Sequence, residues 1–83
     1  MNWEDALREL GDGSAVHRED WDADTYLDAA FGGPGESDES EWPFTDSRGN
    51  RFQVIEYDEG DKINGHAYAF TDEDKAATDW ELA

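Results

Sequence analysis

The fold is decided by a C-terminal stretch, residues 68–82, which reads YAFTDEDKAATDWEL. Tyr68 and Phe70 alternate with a smaller residue, and this period of two predicts a strand that ends at Thr71. A second strand, residues 80–82, is predicted at the end of the stretch, where a large tryptophan side chain can anchor it. Two strands around a short connection are therefore expected to fix the geometry of the C-terminal part.

The connection between these strands carries the start signal of a helix. The Thr71 hydroxyl can accept a hydrogen bond from the amide of Asp74, and the Asp74 carboxylate can accept one from the amide of Thr71, as in a capping box. Residues 72–74 are all acidic, and negative charge is stabilised at a helix N-terminus. The spacing predicts a helix of one or two turns.

The composition indicates a folded domain with an acidic surface. The 83 residues include 23 acidic and 6 basic side chains, which gives a net charge of −17. Such a charge is typical of disordered chains, but 4 Trp, 3 Tyr and 4 Phe are spread along the sequence and can build a core. We expect residues 1–83 to form a single domain with a small core, whose stability is marginal or shared with partner subunits.

Two settings can account for the acidic surface. One is multimolar salt, in which the screening length falls to about 3 Å and dense carboxylates repel one another weakly. The other is mimicry of nucleic acid, in which carboxylates compete for a basic groove. Scarce lysine, and aspartate in excess of glutamate, favour a halophile. The lack of cysteine excludes disulfides and thiolate metal sites, and no segment predicts a membrane span or a signal peptide, so a cytosolic origin is expected.

An amphipathic helix is predicted at the N-terminus. Asn2 is a favourable N-cap, and Asp5 follows three residues later. Apolar side chains fall at i, i+3, i+4 and i+7, namely Trp3, Ala6, Leu7 and Leu10. Gly11 and Gly13 are expected to end the helix. Because a helix this short is not stable alone, its apolar stripe must pack on a sheet.

The middle of the chain predicts strands joined by turns. Strands are expected at 14–18, 25–29, 51–57 and 67–70, and turns at 46–50 and 58–61, with a further left-handed position at Asn64-Gly65. Residues 31–41 are rich in glycine and acids, which predicts a flexible loop, with a lid or partner-binding loop as the alternative. The whole pattern predicts a small α+β domain: one N-terminal helix on a bent antiparallel sheet of about five or six strands, with a short helical turn before the C-terminal strand.

Two blocks of the sequence match a known family. Residues 2–10, NWEDALREL, and residues 16–21, VHREDW, are similar to an opening helix F-x-E-A-L-x-x-L and a strand V-x-R-x-x-W. Residues 68–81 are similar to a closing W-x-P-S-x-x-D-L-L-A-x-D-W-E without a gap. These are the motifs of the Thoeris anti-defence protein 2 family of small phage proteins, which the chain resembles over about half its length.

The chain departs from the family pattern in the closing block. Tyr68 stands where the family has Trp, Phe70-Thr71 where it has Pro-Ser, and Lys75-Ala76 where it has Leu-Leu. The middle, residues 31–64, is longer than in the family. The resemblance therefore bears more strongly on the fold than on the identity of the ligand.

The resemblance implies a viral sponge for an immune signal. Members of the family form homo-oligomers whose subunit interfaces enclose a nucleotide signal, such as a glycosyl cyclic ADP-ribose, and hold it without cleavage. For this chain it implies a homo-oligomer, a dimer or tetramer, that sequesters a cyclic ADP-ribose or cyclic oligonucleotide signal in the host cytoplasm. It also implies no cofactor, no membrane and no direct binding of nucleic acid.

Candidate ligand contacts follow from what a nucleotide site requires. Bases stack on aromatic faces, phosphates need a cation, and sugar and base edges need fixed polar groups. Within the resemblance, the matched blocks supply two aromatic faces, a guanidinium and two polar groups at a helix start: Trp21, Tyr68, Arg18, Thr71 and Asp74. Arg48 and Arg51, at a predicted hairpin turn, are further candidates for phosphate contacts.

Most of these candidates also have a structural interpretation. Trp21 can be a core residue, and Arg18 can be an ion-pair partner of nearby carboxylates. Thr71 and Asp74 can act as a helix cap alone. The sequence leaves these alternatives open.

The remaining residues of interest do not indicate a catalytic or metal site. Trp3 and Trp80 are expected in the core, and His17 and His66 are isolated. Residues 58–65 lack the alternating acids of an EF-hand, so no metal site is predicted. No nucleophile with a base at a suitable spacing is present, so an enzyme is not expected.

Three functions stay open at this point. The first is the nucleotide sponge. The second is a virion-structural or protein-interaction module that reuses the fold without a ligand. The third is an acidic nucleic-acid mimic. Because a chain of net charge −17 repels an anion in dilute salt, the sponge is expected to bind through buried stacking and hydrogen bonds, with an affinity that holds or rises with salt.

Overall fold

The structure is a computed structural model that describes residues 1–22, 24–32, 42–58 and 65–83. Its elements are α1 (Trp3–Gly11), β1 (Val16–Arg18), β2 (Tyr26–Phe31), β3 (Phe44–Thr45), β4 (Arg51–Tyr57), β5 (His66–Ala67), α2 (Asp72–Ala76) and β6 (Trp80–Leu82). This arrangement confirms the predicted α+β fold. Residues 33–41 of the predicted loop, residues 59–61 of the predicted turn at 58–61 and Asn64 lie outside the described residues.

The strands form one antiparallel sheet. Its order is β3-β4-β2-β1-β6, and β5 also pairs with β4. The longest ladder joins β2 and β4 and runs from Tyr26 opposite Tyr57 to Phe31 opposite Phe52. The other edge of β4 is shared by two short strands, β3 near its start and β5 near its end.

Helix α1 covers one face of the sheet, as its apolar stripe predicts. The Asn2 side chain accepts a hydrogen bond from the amide of Asp5 at 2.8 Å, which confirms the predicted N-cap. The fully buried core is Ala6, Leu10, Val16, Leu27, Phe52, Val54 and Trp80. Trp3 is only partly buried and packs against the border of this core. Among the described residues, no helix combines the length and apolar character needed to cross a bilayer.

Two predicted strands have different bounds in the structure, and the first of them, expected at 14–18, spans only Val16–Arg18. The strand expected at 25–29 runs from Tyr26 to Phe31, so the loop expected to begin at Phe31 begins later. Phe31 stays in the sheet because it lies opposite Phe52, with ring centroids 5.5 Å apart.

The predicted strand at 67–70 is wrong. Only His66 and Ala67 pair with β4, and the amide of Tyr68 then donates a last hydrogen bond to the Val54 carbonyl oxygen at 2.8 Å. Continued pairing in this register would bring Phe70 opposite Phe52, but β3 already occupies that edge. The chain therefore leaves the ladder after β5.

Phe70 turns towards the aromatic side of the core instead. Its ring contacts four other aromatic rings at centroid distances of 5.3 to 5.9 Å, those of Trp3, Phe44, Tyr68 and Trp80. Burial of aromatic area in such edge-to-face pairs compensates for the ladder hydrogen bonds that the segment does not make.

The expected left-handed glycine at position 65 is also wrong. The φ angle of Gly65 lies outside the left-handed region, whereas Gly13 and Gly49 have positive φ values of 94° and 87°. Gly65 is needed for a close approach, since an added Cβ would lie 2.6 Å from Cε1 of Tyr57 and would collide with Cγ2 of Ile55.

Replacing Gly65 with alanine is expected to lower the free energy of unfolding by about 2 kcal/mol, because overpacking forces neighbouring side chains out of place. Urea unfolding monitored by tryptophan fluorescence measures the change. In the Ile55→Ala background the same substitution should cost less, because one of the colliding groups is gone. An equal cost in both backgrounds would contradict the collision with Ile55.

Candidate functional site

Asp74 is the centre of the most polar cluster in the interior. It is 4% exposed and is the one buried polar or charged residue among those that the structure describes. Its Oδ2 accepts hydrogen bonds from the Tyr68 hydroxyl at 2.6 Å and from the Thr71 amide at 3.0 Å. Its Oδ1 accepts one from Nη1 of Arg18 at 3.4 Å. Four predicted site residues therefore meet at one carboxylate.

The local sequence explains why Asp74 is buried at this position. Thr71 and Asp74 form the predicted capping box, in which the Thr71 hydroxyl also accepts from the Asp74 amide at 3.1 Å. Nε1 of Trp80 donates to the Asp74 carbonyl oxygen at 3.0 Å. Helix α2 is thus held at its first turn by its own cap and at its carbonyl end by a core tryptophan.

The hydrogen bonds set the protonation state of the cluster. Burial raises the pKa of Asp74, but donors from Tyr68, Thr71 and Arg18 outweigh it and hold the pKa below its ordinary value of 3.8. Burial raises the pKa of Tyr68, and its hydrogen bond to Asp74 raises it further. At neutral pH Asp74 is a carboxylate and Tyr68 is a neutral donor.

Arg18 is enclosed by acids. Its Nε donates to Asp79 at 2.9 Å, and its Nη1 lies 3.4 Å from Asp74 and 3.7 Å from Glu73. The hydrogen bond to Asp79 is the main cause of its raised pKa. An anionic ligand would have to compete with these three carboxylates for the guanidinium, whose side chain is 16% exposed.

Trp21 completes the group of predicted residues. Its ring lies edge-on to Trp80 at 5.5 Å and to Tyr68 at 5.9 Å between centroids. The structure therefore brings Arg18, Trp21, Tyr68, Thr71 and Asp74 together. We call these five residues the Asp74 cluster.

The outer surface of the Asp74 cluster is a shallow hollow of about 400 Å³, which we call the acidic hollow. It is lined by Asp20, Trp21, Asp22, Thr25, Glu56 and Tyr68. Burial, followed by the nearby charge of Asp58, raises the pKa of Glu56. Carboxylates here disfavour a phosphate.

Arg48 and Arg51 do not lie with the cluster. The Arg48 amide donates to the Asp46 carboxylate at 2.9 Å within the predicted turn, and Nε of Arg51 donates to the Trp42 carbonyl oxygen at 2.9 Å. Arg51 starts β4, whereas Glu56 of the acidic hollow is near its other end, a separation of about 17 Å along the strand.

A second concavity lies on the other side of Tyr68, and sequence reasoning missed it. This groove has a volume of about 580 Å³. Its lining is mostly apolar and comprises Trp3, Pro43, Phe44, Gln53, Val54, Ala67, Tyr68, Ala69, Phe70 and Lys75. We call it the Trp3 groove. It opens where β3 and β5 leave a gap along β4 and where the chain departs from the sheet after β5.

The Trp3 groove combines aromatic walls with two unusual polar features. Trp3 and Phe44 both lie edge-on to Phe70, at 5.5 Å and 5.9 Å. Nζ of Lys75 lies 5.7 Å from the centroid of the Trp3 ring. Nε1 of Trp3 is buried and has no hydrogen-bond partner in the part of the chain that the structure describes.

The histidine of β1 lies beside an acid of β6. Nε2 of His17 lies 3.1 Å from a Glu81 carboxylate oxygen across β1 and β6. Over residues 1–22, 24–32, 42–58 and 65–83, no group of three or more His, Asp or Glu side chains is placed to hold a metal ion.

Comparison with known protein families identifies a family to which the chain is similar. A family model described as the Thoeris anti-defense 2-like domain, Tad2-like, matches residues 1–83, which is the whole chain. No curated protein matches the chain.

Proposed function

The chain belongs to the Thoeris anti-defense 2-like family, which implies an anti-defence role against Thoeris, and we propose that it acts by sequestering a small nucleotide signal. It holds the signal without cleaving it, in a pocket that a homo-oligomer, a dimer or tetramer, closes in the host cytoplasm. The family match over residues 1–83 is the observation that carries this proposal.

The aromatic surfaces on the two sides of Tyr68 support it. Ligand pockets for molecules of nucleotide size measure about 300–1,000 Å³ and are mainly apolar with a few polar groups. The Trp3 groove, at about 580 Å³, is of that size and character. Tyr68 lines both this groove and the acidic hollow, so a ligand on either side would touch it.

The observed contacts give the other predicted residues a supporting task. The Asp74 carboxylate accepts hydrogen bonds from Arg18, from the Thr71 amide and from the Tyr68 hydroxyl, and Trp21 packs on the Tyr68 ring. They hold Tyr68 and the start of α2 in one position, which pre-organises the surface for a ligand. Their direct contact with the ligand stays a prediction.

Binding without catalysis is consistent with the side chains at both concavities. Among the described residues lining them, the hydroxyls belong to Tyr68 and Thr25. The pKa of Tyr68 is raised, so its hydroxyl stays protonated while it donates to Asp74, and the Thr25 hydroxyl donates to Asp58 at 3.1 Å.

Calorimetric titration tests the proposal. A panel of cyclic ADP-ribose isomers and cyclic nucleotides is titrated into the protein in about 2 M KCl, where the acidic surface is screened. We expect tight binding of at least one member and recovery of that ligand with unchanged mass. The affinity should hold or rise between low and high salt.

A folded sample that binds no member of the panel would contradict the sponge. If the same protein were then found as a stable component of purified virus particles, that result would support a virion-structural module. Salt-sensitive capture of a basic protein would instead support a nucleic-acid mimic, because contacts between exposed charges weaken as salt increases.

A further inference from the structure

We propose that the Trp3 groove is the ligand site, and that it takes a planar aromatic ring with one anionic group placed at Lys75. This assignment rests on the proposed sequestration of a nucleotide but adds which surface binds it and which residues make the contacts. Neither Trp3 nor Lys75 is among the ligand contacts that the sequence predicts.

The charges around the two concavities favour the Trp3 groove. Three of the six side chains that line the acidic hollow are carboxylates, Asp20, Asp22 and Glu56, whereas the described lining of the groove contains no acid and one cation. A ligand that carries phosphate is repelled by the first surface and attracted by the second.

Lys75 is available to a ligand. None of the ion pairs formed within the described ranges involves it, although the chain has a net charge of −17. Its side chain lies over the Trp3 ring, a weak cation–π contact that an anion can join without displacing a carboxylate. Arg18, in contrast, already contacts three carboxylates.

Trp3 contributes the face of its ring to the groove rather than its indole N–H, because Nε1 is buried. The aromatic walls, Trp3, Phe44, Tyr68 and Phe70, provide the apolar area against which a planar ring packs.

NMR of the tryptophan indoles tests the assignment with AMP and adenosine as probes in about 2 M KCl. The chain has 4 Trp, so the indole N–H region is simple, and Trp3→Phe identifies one signal. We expect AMP to shift the Trp3 signal most. Lys75→Gln should weaken AMP binding about fivefold and leave adenosine binding unchanged, because only AMP carries the anionic group.

Arg8→Gln is the matched control. It removes one positive charge from an exposed helix position where Arg8 contacts only Asp5 among the described residues. This variant should bind AMP as the unmodified protein does. An equal loss in both variants would mean that Lys75 acts through net charge alone, which would overturn its assigned contact.

Three other outcomes would overturn the assignment. AMP could shift the Trp21 signal instead of the Trp3 signal, which would place the ligand in the acidic hollow. The AMP and adenosine affinities could respond equally to Lys75→Gln. AMP could leave all the indole signals of the folded protein unshifted, which would mean that the groove does not take such a ring.

Different results would contradict the proposed sponge function and the assignment of the Trp3 groove. If a cyclic ADP-ribose isomer binds tightly but shifts only the Trp21 signal, the sponge stands and the groove assignment fails. If AMP shifts the Trp3 signal but no member of the signal panel binds, the groove stands and the sponge fails.

Discussion

Replacement of Asp74 by asparagine is expected to lower the free energy of unfolding by about 3 kcal/mol, which in a domain of this size lowers the melting temperature by roughly 12–24 °C. The Asp74 carboxylate accepts hydrogen bonds from Tyr68, Thr71 and Arg18 while it is 4% exposed. An asparagine can keep its oxygen towards Tyr68 and Thr71 only by turning its amide hydrogens towards Arg18. Two donors then face each other in a buried site.

Asp72→Asn is the matched control for this variant. Asp72 lies in the same first turn of α2 and has the same charge, but it is exposed. Its replacement should change the free energy of unfolding by less than about 0.5 kcal/mol. Urea unfolding of both variants at one KCl concentration gives the comparison, and similar losses in the two would refute a special role for the buried carboxylate.

The dependence on pH provides a second readout for Asp74. Because its folded-state pKa lies below the ordinary value of 3.8, the unfolded state takes up the proton first as the pH falls. The stability that ionised Asp74 contributes is therefore complete above about pH 4 and is lost as the pH falls through the folded-state pKa. The difference between the unmodified protein and Asp74→Asn should accordingly shrink below about pH 4.

Replacement of Trp80 by alanine is expected to cost about 4 kcal/mol, the usual range for truncating a large buried aromatic residue. Trp80 is 1% exposed, and its ring contacts Trp21 at 5.5 Å and Phe70 at 5.8 Å. Its Nε1 also donates the hydrogen bond to the Asp74 carbonyl oxygen. The substitution leaves a cavity beside α2 and removes the hydrogen bond to the Asp74 carbonyl oxygen of that helix.

Two further variants separate these effects. Trp80→Phe fills most of the cavity but cannot donate the hydrogen bond, so we expect a smaller loss, about 2 kcal/mol. Leu82→Ala removes an exposed side chain from the same strand, 58% exposed, and should cost less than about 0.5 kcal/mol. Thermal unfolding followed by circular dichroism measures all three, and a loss below about 1 kcal/mol for Trp80→Ala would contradict its place in the core.

The Asp74→Asn and Trp80→Ala variants also bear on the proposed function, because both affect the surroundings of Tyr68. The Tyr68 hydroxyl depends on Asp74 for its acceptor, and its ring packs between Trp21 and Phe70. Because Tyr68 is a wall of the Trp3 groove, variants that loosen the Asp74 cluster while leaving the protein folded should also weaken ligand binding.

Features that depend on neighbouring residues could be predicted from the sequence alone. Caps at Asn2 and Thr71 were predicted because each joins a side chain to a backbone amide three residues later. The amphipathic stripe of α1 and the bounds of β4 followed from hydrophobic periodicity. The family resemblance added that Arg18, Trp21, Tyr68, Thr71 and Asp74 belong together, and the structure does bring them together.

The contacts of these residues and the position of the groove depend on how distant segments come together in the fold. Arg18 binds Asp79, which is 61 residues away, and no local pattern specifies such a pair. The chain leaves the sheet after β5 because β3 already occupies the edge at Phe52, and this departure turns Phe70 inward and opens the groove beside Trp3. Contacts between distant segments depend on strand register and on competition for one edge, and these are properties of the assembled sheet rather than of any stretch of sequence.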